Sequence, residues 1–272
     1  MTDNVASAIV SQLNTKNLIL KILRFCLFLF YLSCYILTFF IIRLSYRDLW
    51  KRRAKIAKSN SFYARLALKM MGFKIHTQKV KLDDSVLIVS NHLSYTDVLI
   101  IASCYPCVFV TSVEIKETPG LGQLTELGGC LYVERRNKSN IHNEIIDITN
   151  GLKRGLNVCI FPEATSTNGD SVLRFRSPLF QAAINSGRSI LTLCMNYKKL
   201  ADAPIDRTNR DTIAWYDDMT FLPHLLGVMG TKTIDVNLDH GAVITTAETD
   251  DPKNLAQIAQ QEVEKLFISL NR

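Results

Sequence analysis

Short apolar segments alternate with amphipathic ones along most of the chain. The apolar segments predict strands covered on both faces, at 85–90, 107–112, 130–134, 157–161 and 189–197. Less regular strands are expected at 73–80, 212–216 and 232–238. Apolar stripes of helical period predict helices at 62–71, 139–153, 178–187 and 253–271. This alternation predicts an α/β domain with a largely parallel sheet flanked by helices.

The N-terminal part departs from this pattern. The run Phe25–Ile42 holds 18 residues without a charge, and as a helix it would span roughly 27 Å, just long enough to cross the hydrocarbon core of a bilayer. A signal peptide fits less well, because its apolar region is usually about 7–15 residues long and no small-residue cleavage site follows here. We therefore expect an N-terminal membrane helix, which either crosses the bilayer or enters one leaflet. The predicted division is a membrane anchor with a basic segment at 1–58 and an α/β domain at 59–272.

The net charge of +7 is confined to one short stretch. Residues 24–58 hold eight basic residues and one acidic residue, whereas the rest of the chain holds 24 of each. A nucleic-acid-binding protein usually carries its basic patch on the folded domain, so this distribution argues against such a partner. Seven of the eight basic residues follow the apolar run, which places the α/β domain on the cytoplasmic side of a membrane. An odd number of cysteines, seven, agrees with a reducing compartment.

A histidine and an aspartate follow the strand 85–90. His92 comes two residues after the strand, and Asp97 lies five positions further on, where a turn can fold its carboxylate back to the imidazole. A carboxylate on one ring nitrogen leaves the other nitrogen free to take a proton from a hydroxyl. The chain has no G-x-S-x-G nucleophile elbow, so a hydroxyl of a bound substrate is the natural proton donor. Taken alone, such a pair is more typical of a structural network than of a catalytic site.

Polar residues follow the neighbouring strands as well. Arg135 ends the strand 130–134, and Glu163 and Thr165 follow the strand 157–161. Arg174 and Arg176 are two positions apart, so an extended chain would point both to one side. The carboxyl ends of parallel strands share one edge of a sheet, where ligands collect. The set suits a substrate with a hydroxyl and an anionic head group. A metal site is not expected, because the lone pair Cys104 and Cys107 has no second pair to complete it.

Three blocks of this sequence resemble those of the glycerolipid acyltransferases. "NHLSYTD" (91–97) resembles their NHxxxxD block, "GGCLYVER" (128–135) is similar to their second block, and "FPEATST" (161–167) resembles FPEGTRS. The resemblance runs from about Val80 to Tyr197 and includes Lys116 in "VEIKETPGLG". It implies transfer of an acyl chain from acyl-CoA or acyl-carrier protein to a lysophospholipid, without an acyl-enzyme and without a cofactor. It also implies His92 as general base, Asp97 as its orienting partner, and acceptor binding by Arg135 and Glu163. Thr165, Arg176 and Lys116 are further expected contacts of the substrate.

The third block departs from the family at two positions. Ala164 stands where glycine is usual, and Ser166 stands where arginine is usual. The missing arginine weakens a phosphate-binding role at that place, for which Arg174 or Arg176 would compensate. The variant therefore also fits an acyltransferase for another lyso-lipid, such as lyso-ornithine lipid. A thioesterase that uses water in place of the acceptor, and a membrane-tethered lipid-binding protein without turnover, are further alternatives.

Overall fold

The computed structural model describes residues 18–78, 80–82, 84–118, 120–134 and 140–270. The described strands are mostly separated by helices after the first two helices, as the apolar pattern predicts. The helices are α1 (Leu18–Ser45), α2 (Leu49–Met70), α3 (Tyr95–Cys104), α4 (Val113–Glu117), α5 (Leu121–Leu127), α6 (Ile141–Lys153), α7 (Gln181–Ser186), α8 (Phe221–Gly230) and α9 (Pro252–Leu266). The strands are β1 (Phe73–Thr77), β2 (Leu87–Ser90), β3 (Cys107–Ser112), β4 (Leu131–Val133), β5 (Asn157–Ile160), β6 (Ile190–Leu200), β7 (Ala203–Pro204) and β8 (Ile234–Ile244).

The strands form one mixed, mostly parallel sheet. Its order is β1-β8-β6-β2-β5-β3-β4, and β7 pairs with β6. The pairs among β2, β3, β4, β5 and β6 along this order are parallel, whereas β8 and β7 run antiparallel to β6. The carboxyl ends of β2 to β6 therefore lie at one edge, and the turns that follow them are neighbours.

The strand β2 shows why the central segments read as continuous apolar runs. Leu87 and Val89 pack into the core on one face of the sheet, with α6, α7 and α9. Ile88, which lies between them, packs into the core on the other face, with α2 and α3. Successive side chains of a strand point to opposite faces, so the consecutive positions 87–89 are all apolar.

The long apolar helix α1 is present and is longer than the run that predicts it. Its most apolar 18-residue window has a mean hydropathy of 2.4. The helix α2 begins at Leu49, well before the predicted start at 62, and Asp48 caps it by accepting a hydrogen bond from the Lys51 N–H at 2.7 Å. Charged residues next to Ile56 and Ala57 obscure the apolar pattern of these buried positions in the sequence. Because α2 continues through position 58, the two units divided there share one helix, and their division stays a prediction.

The segment between β6 and β8 differs from its prediction. The prediction of a strand at 212–216 is wrong, because a single turn of 3-10 helix at Arg210–Thr212 leads into a loop there. Trp215 N–H donates to the Leu93 carbonyl at 2.8 Å there, so its backbone pairs with the turn after β2 rather than with a sheet. The helix α8 was not predicted. It is short and apolar, with Pro223 in its first turn, where the missing N–H is tolerated.

Candidate active site

The turn between β2 and α3 is held from both sides. Asn91 exchanges two hydrogen bonds with the backbone of Met195 in β6, donating at 3.1 Å and accepting at 2.7 Å. Ser94 caps α3, and Asp97 completes the capping box by accepting the Ser94 N–H. His92 therefore stands between an anchored strand end and an anchored helix start.

Asp97 lies directly against the His92 imidazole. Its Oδ2 is 2.9 Å from His92 Nδ1, and the same oxygen accepts the N–H groups of Leu93 at 2.7 Å and Ser94 at 2.9 Å. The carboxylate is fully buried, whereas 19% of the His92 side chain is exposed. Since an ionised carboxylate only accepts, Nδ1 carries the proton, and Nε2 keeps a free lone pair. The five-residue spacing thus brings the two side chains together as predicted.

Phe161, at the end of β5, covers one face of this imidazole. The two rings are stacked, with centroids 3.9 Å apart and planes 15° from parallel. Phe109 of β3 lies behind Phe161 in a second parallel contact, at 6.4 Å. The imidazole is therefore held by a hydrogen bond in its plane and by an aromatic ring against its face.

Glu163 joins three segments around the histidine. Its Oε1 accepts the His92 N–H at 2.9 Å, and its Oε2 accepts the Leu173 N–H at 2.9 Å. Burial raises the pKa of Glu163 to about 7, against the opposing effect of these two hydrogen bonds. Both carboxylate oxygens are thus engaged with the backbone.

The loop after Glu163 turns back to the same histidine. Thr167 N–H donates to the His92 carbonyl at 2.9 Å. The turn requires a left-handed backbone at Ala164, whose φ is +62°, a conformation that favours glycine. Thr165 is exposed at the tip of this loop, where its hydroxyl donates to the Ser166 carbonyl at 3.3 Å.

The predicted acceptor-binding cations that the structure describes are all exposed. Arg174 and Arg176 are exposed on either side of the buried Phe175, and their role in substrate binding stays a prediction. Lys116 is exposed in α4, after the carboxyl end of β3, with Nζ 5.0 Å from the Tyr132 ring centroid and 3.9 Å from Glu126 Oε1. Arg135 lies outside the described residues. Among the residues that the structure describes, no group of three or more His, Cys, Asp or Glu is placed to hold a metal ion.

Comparison with known proteins identifies this arrangement. A protein-family model described as "Acyltransferase" matches residues 72–196, a span that includes the turn from Asn91 to Asp97 and the loop with Glu163. A lyso-ornithine lipid O-acyltransferase of Brucella abortus is 29% identical over 247 residues, which are 88% of this chain and 90% of the relative. The chain belongs to the PlsC-type acyltransferase family. It is thus an acyltransferase that acts on lyso-lipids.

Other members of the PlsC-type family show how far the similarity extends. A 1-acyl-sn-glycerol-3-phosphate acyltransferase of Neisseria gonorrhoeae is 29% identical over 201 residues, 74% of this chain and 75% of the relative. The crystal structure of the 1-acyl-sn-glycerophosphate acyltransferase PlsC from Thermotoga maritima superposes with a TM-score of 0.61. That alignment covers 92% of this chain and 94% of the other at 17% sequence identity. It confirms the predicted α/β fold.

Two side chains of this PlsC-type site were missed by reading the sequence. Phe161 falls in a segment that predicts a buried strand, and its contact with His92 depends on the packing of β5 beside β2. Tyr197 falls at the end of another predicted strand, yet its hydroxyl reaches Asp97 across 100 positions of sequence. Neither residue has a local signal, because an aromatic residue in an apolar segment is ordinarily a core residue.

Proposed function

We propose that this PlsC-type acyltransferase transfers a fatty acyl chain from acyl-CoA or acyl-carrier protein to the hydroxyl of a lyso-lipid, with His92 as general base. The observation that carries the proposal is the buried Asp97 carboxylate on His92 Nδ1. It orients the imidazole and stabilises the imidazolium that proton transfer creates. The exposed fraction of the His92 side chain is where an acceptor hydroxyl would approach Nε2.

The proposed reaction needs no acyl-enzyme. His92 Nε2 takes the proton of the acceptor hydroxyl as its oxygen attacks the thioester carbonyl. The tetrahedral intermediate collapses, the carbon–sulfur bond breaks, and the leaving thiolate takes the proton back from His92. Ser94, the nearest hydroxyl in the turn, is fully buried and accepts the Thr96 N–H as the cap of α3. Its position supports a substrate nucleophile rather than a serine.

The proposed acceptor site lies at the carboxyl edge of the sheet. Arg176, Arg135, Lys116 and Thr165 are its proposed polar contacts, since each follows a strand that ends at this edge or lies in an exposed loop beside it. Glu163 is proposed to act on the acceptor through the loop that it holds, because both of its oxygens already accept backbone N–H groups.

Two acceptors fit the proposal. The relatives comprise enzymes named for lyso-ornithine lipid and enzymes named for 1-acylglycerol-3-phosphate, at similar identity to this chain. Ser166 takes the place of the arginine that is usual in the third block, which leaves one cation fewer for a phosphate. This departure favours an acceptor with a different head group, and lyso-ornithine lipid is the proposed first choice.

Membrane attachment through α1 is part of the proposal, because both substrates carry acyl chains. Large apolar side chains are exposed along the whole helix, including Ile19, Phe30, Phe40 and Leu44. The other side of α1 contacts α2, where Tyr35 donates to Asn60 at 2.9 Å, and α8. The exposed side would enter lipid of the cytoplasmic membrane, with the α/β domain on the cytoplasmic side as the basic residues after the run indicate.

The test is acyl transfer in membranes from cells that express wild type, His92→Ala or His142→Ala. A panel of lyso-lipids is offered with labelled acyl-CoA and with labelled acyl-carrier protein. Loss of the base should lower transfer roughly 10²- to 10⁴-fold, whereas His142→Ala, an exposed histidine of α6, should match wild type. Turnover retained in His92→Ala would contradict the assignment. Fatty acid release that does not depend on a lyso-lipid would instead indicate a thioesterase. Absence of turnover in wild type would indicate a lipid-binding protein.

A further inference from the structure

The two oxygens of the Asp97 carboxylate are held by different parts of the fold. The three donors to Oδ2 all belong to the turn at 92–94. Oδ1 accepts a hydrogen bond from the Tyr197 hydroxyl at 2.6 Å, and among the described residues no other donor reaches this oxygen. We infer that Tyr197 is a positioning residue for the proposed base, acting through Asp97.

The direction of the hydrogen bonds follows from the single proton of a phenol. The carboxylate can only accept, so the Tyr197 hydroxyl donates to it. The Thr96 hydroxyl lies 2.7 Å from the same phenol oxygen and must then be the donor of that pair. Thr96 and Asp97 are fully buried, and Tyr197 is nearly so. A directed chain thus runs from Thr96 through Tyr197 and Asp97 to His92, and such chains strengthen each of their bonds.

The phenol stays a donor at every pH at which the enzyme would work. Burial and the nearby Asp97 charge raise the pKa of Tyr197 well above its usual range. Tyr197 also ties the carboxylate to the sheet. It lies four positions beyond Leu193, which pairs with the last residue of β2. Without Tyr197, Asp97 would be held by its own turn alone.

The bond also has an electrostatic consequence. A donor on Oδ1 draws negative charge away from the oxygen that faces His92. Removing that donor leaves more charge beside the imidazole and stabilises the imidazolium. The acid limb of the activity profile should then move to higher pH. The rate should fall as well, because the carboxylate loses its link to β6. Substrate affinity should not change, because the buried phenol lies behind Asp97.

Among the described residues, Cys159 and Glu163 interact electrostatically with Asp97, and Tyr95 with Tyr197. Burial raises the pKa of the Cys159 thiol in β5 and of the Tyr95 phenol in α3 well above their usual ranges, so both stay neutral. Glu163, with a pKa of about 7, titrates within the range of the assay. All three are unchanged in the variants below, so their effects are common to every profile, and differences between profiles report the Tyr197 bond.

The experiment compares full-length, purified wild type with Tyr197→Phe, Thr96→Val and Tyr105→Phe, using the best acceptor and donor from the panel above. Tyr105→Phe is the matched control, because its buried phenol bonds to His240 at 2.6 Å instead of to the site. We expect Tyr197→Phe to lower kcat about tenfold with KM within about twofold, and to move the acid limb up by about 0.5 pH unit. Thr96→Val should move it in the same direction by less, and Tyr105→Phe should overlay wild type.

The inference rests on the proposed role of His92, and the two can fail separately. If His92→Ala keeps its activity, the proposed role of His92 as general base is refuted. Activity lost in His92→Ala, together with a Tyr197→Phe profile that overlays those of wild type and Tyr105→Phe, would overturn the role of Tyr197 alone. An equal shift in Tyr105→Phe would do the same. If Tyr197→Phe yields no folded enzyme, Thr96→Val decides, and an unmoved acid limb in that variant would overturn the inference.

Discussion

Glu163 should make the enzyme less stable as the pH rises from 5.5 to 8. Burial raises its pKa to about 7 from an ordinary value of 4.5. Between these values the folded state holds a proton that the unfolded chain has released, so a rising pH favours the unfolded chain. The stability that this proton contributes is fully present below pH 4.5 and is lost as the pH passes 7. Replacing the residue by glutamine removes the titration while keeping size and shape.

The magnitude follows from the width of that window. From pH 5.5 to the folded-state value of about 7, the difference in bound protons is worth roughly 1.4 kcal/mol per pH unit, or about 2 kcal/mol in total. For a domain of this size such a loss corresponds to a fall in Tm of about 5 °C. The glutamine oxygen can accept only one of the two backbone N–H groups that Glu163 binds, so Glu163→Gln should have a lower Tm than wild type at pH 5.5, and the change of Tm with pH is the quantity compared.

Thermal unfolding of the detergent-purified protein at pH 5.5 and pH 8 measures this effect. The fall in Tm between the two pH values should be about 5 °C smaller in Glu163→Gln than in wild type. Glu248→Gln, at an exposed position, is the matched control and should keep the wild-type fall. A Glu163→Gln variant that keeps the full fall would refute the conclusion that burial governs this carboxyl group.

Two further substitutions test the loop and the N-terminal helix. Ala164→Gly should stabilise the protein by about 1 kcal/mol, because relief of the strained φ of +62° outweighs the added freedom of the unfolded chain. Ala182→Gly, inside α7, is the control and should destabilise the protein. A lower Tm for Ala164→Gly than for wild type would contradict backbone strain at this position. Arg24→Met should lower the free energy of unfolding by about 3 kcal/mol, because the Arg24 guanidinium donates to three backbone carbonyls at and after the end of α8. Arg43→Met, at an exposed position of the same helix, is the control, and equal urea midpoints for the two variants would refute the anchoring role of Arg24.

Reading the sequence located the strands at the centre of the sheet and the turn that follows β2. These features have local signals, since a strand covered on both faces is a nearly continuous apolar run, and the spacing of His92 and Asp97 lies within one turn. The start of α2 and the whole of α8 lacked such signals. In α2 basic side chains surround the buried positions, and α8 is a short apolar segment that periodicity alone cannot assign.

The contacts of the site likewise divide into those that have a local signal in the sequence and those that have none. The sequence by itself determined the α/β order of elements, the apolar N-terminal helix and the pairing of His92 with Asp97, because each depends on residues close together in the chain. Only the tertiary structure decided that Phe161 stacks on the imidazole, that Glu163 holds two backbone N–H groups, and that Tyr197 reaches the far oxygen of Asp97. These contacts join β5 and β6 to the turn after β2. Strand order sets them, and no local pattern of residues encodes which strands become neighbours.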